Sequence, residues 1–378
     1  MQFHDLQAQY QALKAEIDAG IADVLSKGHF ILGEQVTELE NKLAQDVNRA
    51  HCVSCANGTD ALELLLMLWG IGDGDAVFTP DFTYFASAGC ASTMGAELIP
   101  VDIDLDTFNM CPDALEAAIE RVEKEGKYKP SVVIAVDLFG QPAQYDHICD
   151  IAKKHGMKVL EDGAQGYGGQ IGEKHACSFG DGATTSFFPA KPLGCYGDGG
   201  AIFVDNAEED ALLRSLRANG RGVEDKYDNQ RIGMNSRLDT LQAAILLPKL
   251  RALREYEIKA LNAAADKYTQ ALADVVKTPV VLDGYVSSWA QYSVLLENRE
   301  KRDKVQKLLK EQGVPTMVYY PRGIHQQTAY AHKQFPDAWY PNTIEATNRV
   351  LALPMHPYLT DADIETVTAA LKAAVKNV

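Results

Sequence analysis

Between residues 52 and 204, short apolar runs alternate with stretches in which apolar residues recur every three or four positions. The first pattern is typical of buried strands and the second of amphipathic helices. Repeated strand–helix–strand units form mostly parallel sheets with helices on both faces, and ligands bind at the carboxyl ends of the strands. The sequence therefore predicts an α/β fold with strands at 76–79, 97–101, 131–136, 158–161, 183–188 and 200–204.

The segments on either side of this pattern are mostly helical. Helices are predicted at 6–25, 34–47, 207–217, 302–312 and 361–373, and strands at 291–295 and 316–319. Gly28 is expected to end the first helix, because glycine is the usual residue after a helix C-terminus. A long helical pattern over 237–272 contains Pro248, where a kink or break is expected because proline removes a helical hydrogen bond.

The chain of 378 residues is long for a single hydrophobic core, since such cores stop growing at roughly 250–300 residues. The strand and helix patterns change character after the long helix begins. We therefore expect a large α/β domain over residues 1–245 and a smaller C-terminal α+β domain over 246–378.

The net charge of −16 argues against general binding to nucleic acid or to an anionic membrane, because both require a basic surface. No apolar stretch is long enough for a membrane span, and the first residues lack the pattern of a signal peptide. We expect a cytoplasmic protein with no nucleic-acid or membrane partner. The seven cysteines are odd in number and scattered, which favours reduced thiols.

The segment around Gly58 and Thr59 follows a strand and opens a helix. Backbone N–H groups at a helix N-terminus form a natural phosphate site, although a simple capped helix is the alternative for this motif alone. His51, Cys52 and Cys55 lie nearby, but no second pair of ligands accompanies them, so no metal site is predicted.

Two further motifs follow strands of the predicted sheet. Asp162 and Gln165 lie at the end of the strand at 158–161, where a carboxylate can meet a ligand cation or a protonated ring nitrogen. Lys191 lies between prolines after the strand at 183–188, and burial of such an amine lowers its pKa enough for it to attack an aldehyde. Each motif alone also has an ordinary structural explanation, as a turn or as a solvated lysine.

Together, a phosphate site, a carboxylate and a nucleophilic amine match pyridoxal phosphate, whose ring acts as an electron sink when its nitrogen is protonated. Tyr84 is predicted to stack on that ring, its alternative being a core position. A stretch rich in arginine is predicted to bind phosphates or carboxylates rather than to form a solvated helix face, and its members are Arg214, Arg217, Arg221, Arg231 and Arg237.

The chain resembles the DegT/StrS sugar aminotransferases, which are fold-type-I pyridoxal-phosphate enzymes that act on nucleotide-linked keto-sugars. The resemblance covers essentially the whole chain and is carried by the motifs at 28–33, 57–62, 161–165, 186–191, 233–237 and 353–356. It implies a homodimer whose active sites are shared across the interface.

The resemblance also implies residue roles. Lys191 would be the Schiff-base lysine and proton carrier, Asp162 would bind the pyridinium nitrogen, and Gln165 would lie near the ring hydroxyl. Gly58, Thr59 and Ser186 would hold the phosphate, and Asn235 of the neighbouring subunit would reach it as well. Lys191 favours amino transfer, because family members with histidine at that position are dehydratases.

The runs 186–200 and 235–249 look most similar to a family member that transfers the amino group of L-glutamate to UDP-2-acetamido-2-deoxy-3-oxo-glucuronic acid, on the way to bacterial O-antigen. Arg237 is then the predicted ligand of the sugar carboxylate. Tyr319, Tyr320 and His325 are predicted substrate residues, although their segment departs from the usual family pattern. Two alternatives stay open: amination at carbon 4 of a UDP- or dTDP-linked 4-keto-6-deoxy sugar, and a non-catalytic nucleotide-sugar binding protein.

Overall fold

The computed structural model describes residues 1–222 and 227–378. The helices are α1 Leu6–Lys27, α2 Glu34–Val47, α3 Gly58–Leu68, α4 Ala86–Thr93, α5 Pro112–Glu125, α6 Tyr145–Lys154, α7 Ala207–Leu216, α8 Thr240–Ala252, α9 Ile258–Leu272, α10 Arg299–Glu311, α11 Pro341–Arg349 and α12 Asp361–Lys376. The strands are β1 His51–Cys55, β2 Asp75–Pro80, β3 Glu97–Val101, β4 Lys129–Val136, β5 Lys158–Asp162, β6 Gln170–Ile171, β7 Lys174–His175, β8 Gly182–Ser186, β9 Gly200–Val204, β10 Tyr285–Val286, β11 Tyr292–Leu295 and β12 Val350–Leu353.

Seven of these strands form the central sheet, in the order β1-β9-β8-β5-β4-β2-β3. Strands β3, β2, β4, β5 and β8 are parallel neighbours, and β9 runs antiparallel to both β8 and β1. The predicted α/β fold with a mostly parallel sheet is confirmed. Because β1 and β8 point the same way as β5, the chain leaves β1, β5 and β8 at the same edge of the sheet, and the predicted cofactor motifs follow these three strands.

The first helix ends as predicted. Gly28 caps α1 in the left-handed conformation, with φ of 69°, and its N–H donates to the carbonyl of Val24. The turn then leads into α2, which buries Leu39 and Leu43 against the sheet in the same cluster as Phe203.

Of the kink or break predicted at Pro248, the break is wrong. Helix α8 continues through Pro248, and the irregularity comes later, as a π-helical turn over Leu253–Glu257 that joins α8 to α9. Proline cannot donate to the carbonyl of Ala244, four residues before it. Gly20 of α1 packs at that carbonyl, where an added Cβ would lie 3.3 Å from the oxygen. The close contact between α1 and α8 therefore covers the Ala244 carbonyl, which lacks the helical hydrogen bond that Pro248 cannot donate.

The predicted strand at 316–319 is also wrong. Only Met317 forms a bridge there, to Ala352, and β11 pairs instead with β12, which the sequence pattern did not indicate. Pro315 and Pro321 flank the segment and cannot donate to a sheet ladder. Strand β12 was hidden because it begins directly where α11 ends.

A second hydrophobic core lies outside the sheet. All its buried members come from Leu261 onward, and most are contributed by α9, β11, α10, β12 and α12. We propose that this core defines the smaller domain. The expected boundary between residues 245 and 246 falls inside α8, where Leu246 and Leu250 still pack in the cluster of the large domain.

Within the described ranges, no helix combines the length and the hydropathy that crossing a membrane requires.

Candidate active site

The N-terminus of α3 packs against the end of β8. Asn57 caps the helix, since its side chain accepts the N–H of Asp60 at 2.8 Å. Gly58 lies so close to Ser186 that an added Cβ would be 2.7 Å from the Ser186 Cβ. Thr59 is the next residue of α3 and is exposed. The structure thus brings together the three residues that the sequence predicts as phosphate ligands, on a helix N-terminus that favours an anion.

Asp162 ends β5 and is 4% exposed. Its Oδ2 accepts the hydroxyl of Ser87 at 2.7 Å, and its Oδ1 accepts the N–H of Ala164 at 3.2 Å. Burial raises the pKa of this carboxyl, and the two hydrogen bonds and the charge of Lys191 oppose the rise. A buried carboxylate at this position is well suited to bind a protonated ring nitrogen.

Lys191 lies in a compact loop that follows β8. Its backbone N–H donates to the carbonyl of Phe188 at 2.8 Å. The chain then folds back at Gly194, where an added Cβ would lie 2.4 Å from the Pro189 carbonyl oxygen. Burial lowers the pKa of the Lys191 amine, and the nearby charge of Asp162 raises it. The amine therefore has the two properties that attack on an aldehyde requires, a lowered pKa and a position beside the carboxylate.

Gln165 is 3% exposed, and the backbone fixes the orientation of its amide. Its Oε1 accepts the N–H of Phe139 at 2.8 Å, and its Nε2 donates to the hydroxyl of Tyr320 at 3.2 Å. The second hydrogen of that Nε2 is left to donate to a ligand, as the predicted contact with a ring hydroxyl requires.

Tyr84 and Asn235 lie at the surface. Tyr84 is 57% exposed in the loop between β2 and α4, so it is not a core residue within this chain. Asn235 is exposed, and its Oδ1 accepts the guanidinium of Arg237 at 2.6 Å. The neighbouring Ser236 accepts the N–H of Ala56 at 3.0 Å, which holds this segment beside the loop that precedes Gly58.

Tyr319 and Tyr320 lie in the loop between α10 and α11 and pack against the hydrophobic core of the central sheet. The hydroxyl of Tyr320 meets Gln165, and the ring of Tyr319 packs edge-on against Phe3, with 6.2 Å between the centroids. Both tyrosines are half-buried. The hydroxyl of Tyr320 therefore places this loop beside Gln165, close to the end of β5.

The side chain of His325 is more deeply buried than is usual for a residue that binds a ligand. Its backbone N–H and its Nδ1 are 2.8 and 2.5 Å from the two carboxylate oxygens of Asp81, and its Nε2 is 3.3 Å from Asp337. Its ring also stacks on Tyr340. Both ring nitrogens thus face carboxylates of this chain, and substrate binding by His325 stays a prediction.

We expect the pair of His325 and Asp81 to make stability depend on pH. Burial lowers the pKa of His325, but Asp81 and Asp337 raise it overall, while burial raises the pKa of Asp81. The folded pair thus holds its proton more tightly than an exposed histidine, whose pKa is about 6.5. The stabilisation is complete below pH 6.5 and is lost as the pH rises through the raised folded value.

The free energy of unfolding should therefore fall as the pH rises above about 6.5, and the fall should be smaller in the His325→Gln variant by roughly 1 kcal/mol. Urea denaturation at a series of pH values measures both slopes. His332→Gln, which alters an exposed histidine of the same region, is the matched control. Equal slopes for the wild type and His325→Gln would contradict this prediction.

The interpretation of the whole arginine-rich stretch as an anion site is wrong for two of its members. Arg217 is 5% exposed and donates to Glu40 at 2.5 Å and to the carbonyl of Ser54 at 2.6 Å. Arg214 donates to Glu40 at 2.8 Å and to Asp210. Both guanidinium groups are thus neutralised by carboxylates of this chain.

The sequence analysis also missed two side chains that support the site, Ser87 and Asp81. Ser87 follows Tyr84 by three residues, and Asp81 directly follows β2. A polar residue at the carboxyl end of a parallel strand is the signal that could have identified Asp81. Nothing in the local pattern indicates that Ser87 reaches Asp162, which lies 75 positions away.

Comparison with known proteins gives a consistent result. The sequence profile of the DegT/DnrJ/EryC1/StrS aminotransferase family matches residues 11–372. The UDP-2-acetamido-2-deoxy-3-oxo-D-glucuronate aminotransferase of Pseudomonas aeruginosa is 46% identical over 372 residues, which cover 98% of this chain and 99% of the relative. The UDP-N-acetyl-3-dehydro-alpha-D-glucosamine 3-aminotransferase of Acidithiobacillus ferrooxidans is 37% identical, with coverage of 97% and 96%.

A solved structure agrees with these relatives. The crystal structure of a DegT DnrJ EryC1 StrS aminotransferase from Brucella abortus superimposes with a TM-score of 0.95 at 46% identity, over 99% of each chain.

Proposed function

The chain belongs to the DegT/DnrJ/EryC1/StrS aminotransferase family and is a pyridoxal-phosphate-dependent sugar aminotransferase, and we propose that it transfers the amino group of L-glutamate to carbon 3 of UDP-2-acetamido-2-deoxy-3-oxo-glucuronic acid. The product would be UDP-2-acetamido-3-amino-2,3-dideoxy-glucuronic acid, for surface polysaccharide such as O-antigen. The observation that carries the proposal is that Lys191, Asp162, Gln165 and the N-terminus of α3 lie at or just after the carboxyl ends of β8, β5 and β1, at one edge of the central sheet.

The residues of the cleft fit pyridoxal phosphate. The cofactor supplies an aldehyde that exchanges amines and a pyridinium ring that accepts electrons. Gly58, Thr59 and Ser186 would hold its phosphate at the N-terminus of α3, where the absence of a Cβ at Gly58 lets this turn pack directly against Ser186. Asp162 would keep the ring nitrogen protonated, and Gln165 would donate to the ring hydroxyl.

Lys191 has the central role in the proposal. Its Nζ would hold the cofactor covalently and, when released, would take up and return the proton that moves during amino transfer. Burial lowers the pKa of this amine, so that it can act as a base, and the nearby charge of Asp162 limits the fall, so that it can also act as an acid. One side chain can thus serve both directions of the reaction.

The proposal assigns Arg237 to the carboxylate of the sugar. A guanidinium group binds a carboxylate through two parallel hydrogen bonds, which gives both affinity and orientation. Arg237 donates to the side chain of Asn235 and borders the loop before Gly58. Tyr319 and Tyr320 would contact the sugar from the loop of the smaller domain.

The proposal also includes a homodimer. The exposed apolar side chains of Phe30, Ile31 and Leu32 form a patch whose backbone is held beside Asp239 and Thr240. Ile232, three residues before Asn235, is 87% exposed. Exposed apolar groups of this kind mark interaction surfaces, and a second copy of the chain is the proposed partner.

In that dimer, Asn235 would reach the phosphate of the partner's cofactor. The cytoplasmic location stays a prediction.

Acceptor specificity tests the reaction directly. We expect formation of 2-oxoglutarate from glutamate with the 3-oxo-glucuronate substrate, and a kcat/KM at least roughly 100-fold lower with UDP-3-oxo-N-acetylglucosamine, which lacks the carboxylate that Arg237 would bind. Nuclear magnetic resonance of the product should place the new amine on carbon 3.

Two results would contradict the proposal. Equal kcat/KM values for the two 3-oxo sugars would show that the enzyme does not recognise the sugar carboxylate. Turnover with only a 4-keto-6-deoxy sugar would replace the substrate and leave the cofactor residues unaffected.

A further inference from the structure

Ser87 contacts two segments of the proposed cofactor site, the loop of Tyr84 and the end of β5. It is 2% exposed and belongs to the first turn of α4, directly after the loop that carries Tyr84. Its N–H donates to the carbonyl of Tyr84 at 3.3 Å, and its hydroxyl donates to Oδ2 of Asp162 at 2.7 Å. One residue therefore joins the predicted stacking residue to the carboxylate at the end of β5.

The hydroxyl of Ser87 has no other structural task in the described chain. Helix α4 has no side-chain cap, so Ser87 does not satisfy the helix N-terminus. Among the described residues, its other side-chain hydrogen-bond contact is with the hydroxyl of Thr83, at 3.4 Å. Since the single proton of Ser87 is directed at Asp162, Thr83 must be the donor in that second contact. The result is a short chain of hydrogen bonds from Thr83 through Ser87 to Asp162.

The carboxylate of Asp162 receives one donor on each oxygen from this chain, Ser87 on Oδ2 and the N–H of Ala164 on Oδ1. The Ala164 bond is the longer one, at 3.2 Å, and comes from a residue only two positions away. The bond from Ser87 is therefore the one that ties the carboxylate to another element and fixes its rotation.

We propose that Ser87 is a positioning residue, which holds the Asp162 carboxylate in one orientation and keeps it a weaker base than the cofactor ring nitrogen. The inference rests on the proposed role of Asp162. A carboxylate that loses a hydrogen-bond donor becomes more basic, so the shared proton would move from the ring nitrogen to Asp162. The ring would then accept electrons less well.

The experiment uses the holoenzyme reconstituted with pyridoxal phosphate that carries ¹⁵N in its ring. The ¹⁵N chemical shift reports whether the ring nitrogen is protonated. In Ser87→Ala we expect the shift to move towards the unprotonated value, together with a fall in kcat of roughly 10- to 100-fold at nearly unchanged KM. Ser87→Thr keeps the hydroxyl and should stay close to the wild type in both measurements.

The matched control is Ser92→Ala, on the same helix. Its hydroxyl contacts that of Tyr330 at 3.0 Å, away from Asp162, and both the shift and kcat should be unchanged. If Ser87→Ala does not accumulate as folded protein, Ser87→Cys replaces it. Its thiol fills similar space but donates weakly, and an intermediate shift is expected. A wild-type shift and kcat in Ser87→Ala, or in the cysteine variant where that is used, would overturn the inference.

Asp162→Asn separates this inference from the proposed function. If Asp162→Asn moves the shift and Ser87→Ala does not, Asp162 keeps its role and Ser87 has none. If Asp162→Asn itself leaves the ring protonated, the proposed role of Asp162 fails. In the Asp162→Asn background, replacing Ser87 with Ala should add no further change in the shift, because its acceptor no longer controls the proton.

Discussion

Lys191→Ala is expected to lower kcat by at least roughly 10⁴-fold, because the change removes both the covalent attachment of the cofactor and the group that moves the proton. Asp162 lies near Lys191, but its two carboxylate oxygens accept hydrogen bonds from Ser87 and Ala164. We therefore do not expect Asp162 to act as the base at the reacting carbon. The variant should fold normally, since removing a buried amine leaves no acceptor without its partner.

Two measurements check this prediction. Single- and multiple-turnover assays with glutamate should show no sustained formation of 2-oxoglutarate. Reduction of the wild-type holoenzyme with borohydride, followed by peptide mass spectrometry, should find the cofactor attached to the peptide that contains Lys191 and to no other. Lys42→Ala, which alters an exposed lysine on α2, is the control and should retain full activity. Sustained turnover by Lys191→Ala, or attachment elsewhere, would remove Lys191 from its assigned role.

The positions of Asp162 and Lys191 could be predicted because both depend on local pattern. An apolar run marks each strand, the strands are parallel, and the residue that follows a strand lies at the ligand-binding edge. The partners of β5 and β8 along the sheet need not be known for this inference. The turn that holds Lys191 is likewise local, since it closes between Phe188 and Lys191.

The partners of buried polar groups could not be predicted, because they come from distant parts of the chain. Arg217 and Glu40 are 177 positions apart, and His325 and Asp81 are 244 apart. Neither pair produces a periodic signal. Charge density alone suggested a ligand for Arg214 and Arg217, whereas the fold supplies Glu40 and Asp210. The pairing of β11 with β12 was missed because β12 begins directly where α11 ends.

The second large effect is expected on stability, from Arg217→Met. Glu40 is 4% exposed, and its Oε1 accepts Arg217 at 2.5 Å, the N–H of Ser54 at 2.9 Å and the Ser54 hydroxyl at 2.7 Å. Burial raises the pKa of Glu40, but the charges of Arg217 and Arg214 lower it overall, so that the carboxylate stays ionised. Removing Arg217 leaves a buried charge with only part of its compensation, which costs about 3–5 kcal/mol in comparable pairs.

Urea denaturation should therefore show that loss in the free energy of unfolding of Arg217→Met. The control is Arg251→Met, whose guanidinium bridges Glu16 and Glu255 at the surface and should contribute less than about 1 kcal/mol. Adding Glu40→Gln to Arg217→Met should recover part of the loss, since a neutral amide no longer needs a cation and its oxygen still accepts the N–H of Ser54. Equal effects of the two arginine changes would show that solvent or Arg214 alone compensates Glu40. In that case the link between α2, β1 and α7, which sets the position of the chain just before Gly58, would be a weak one.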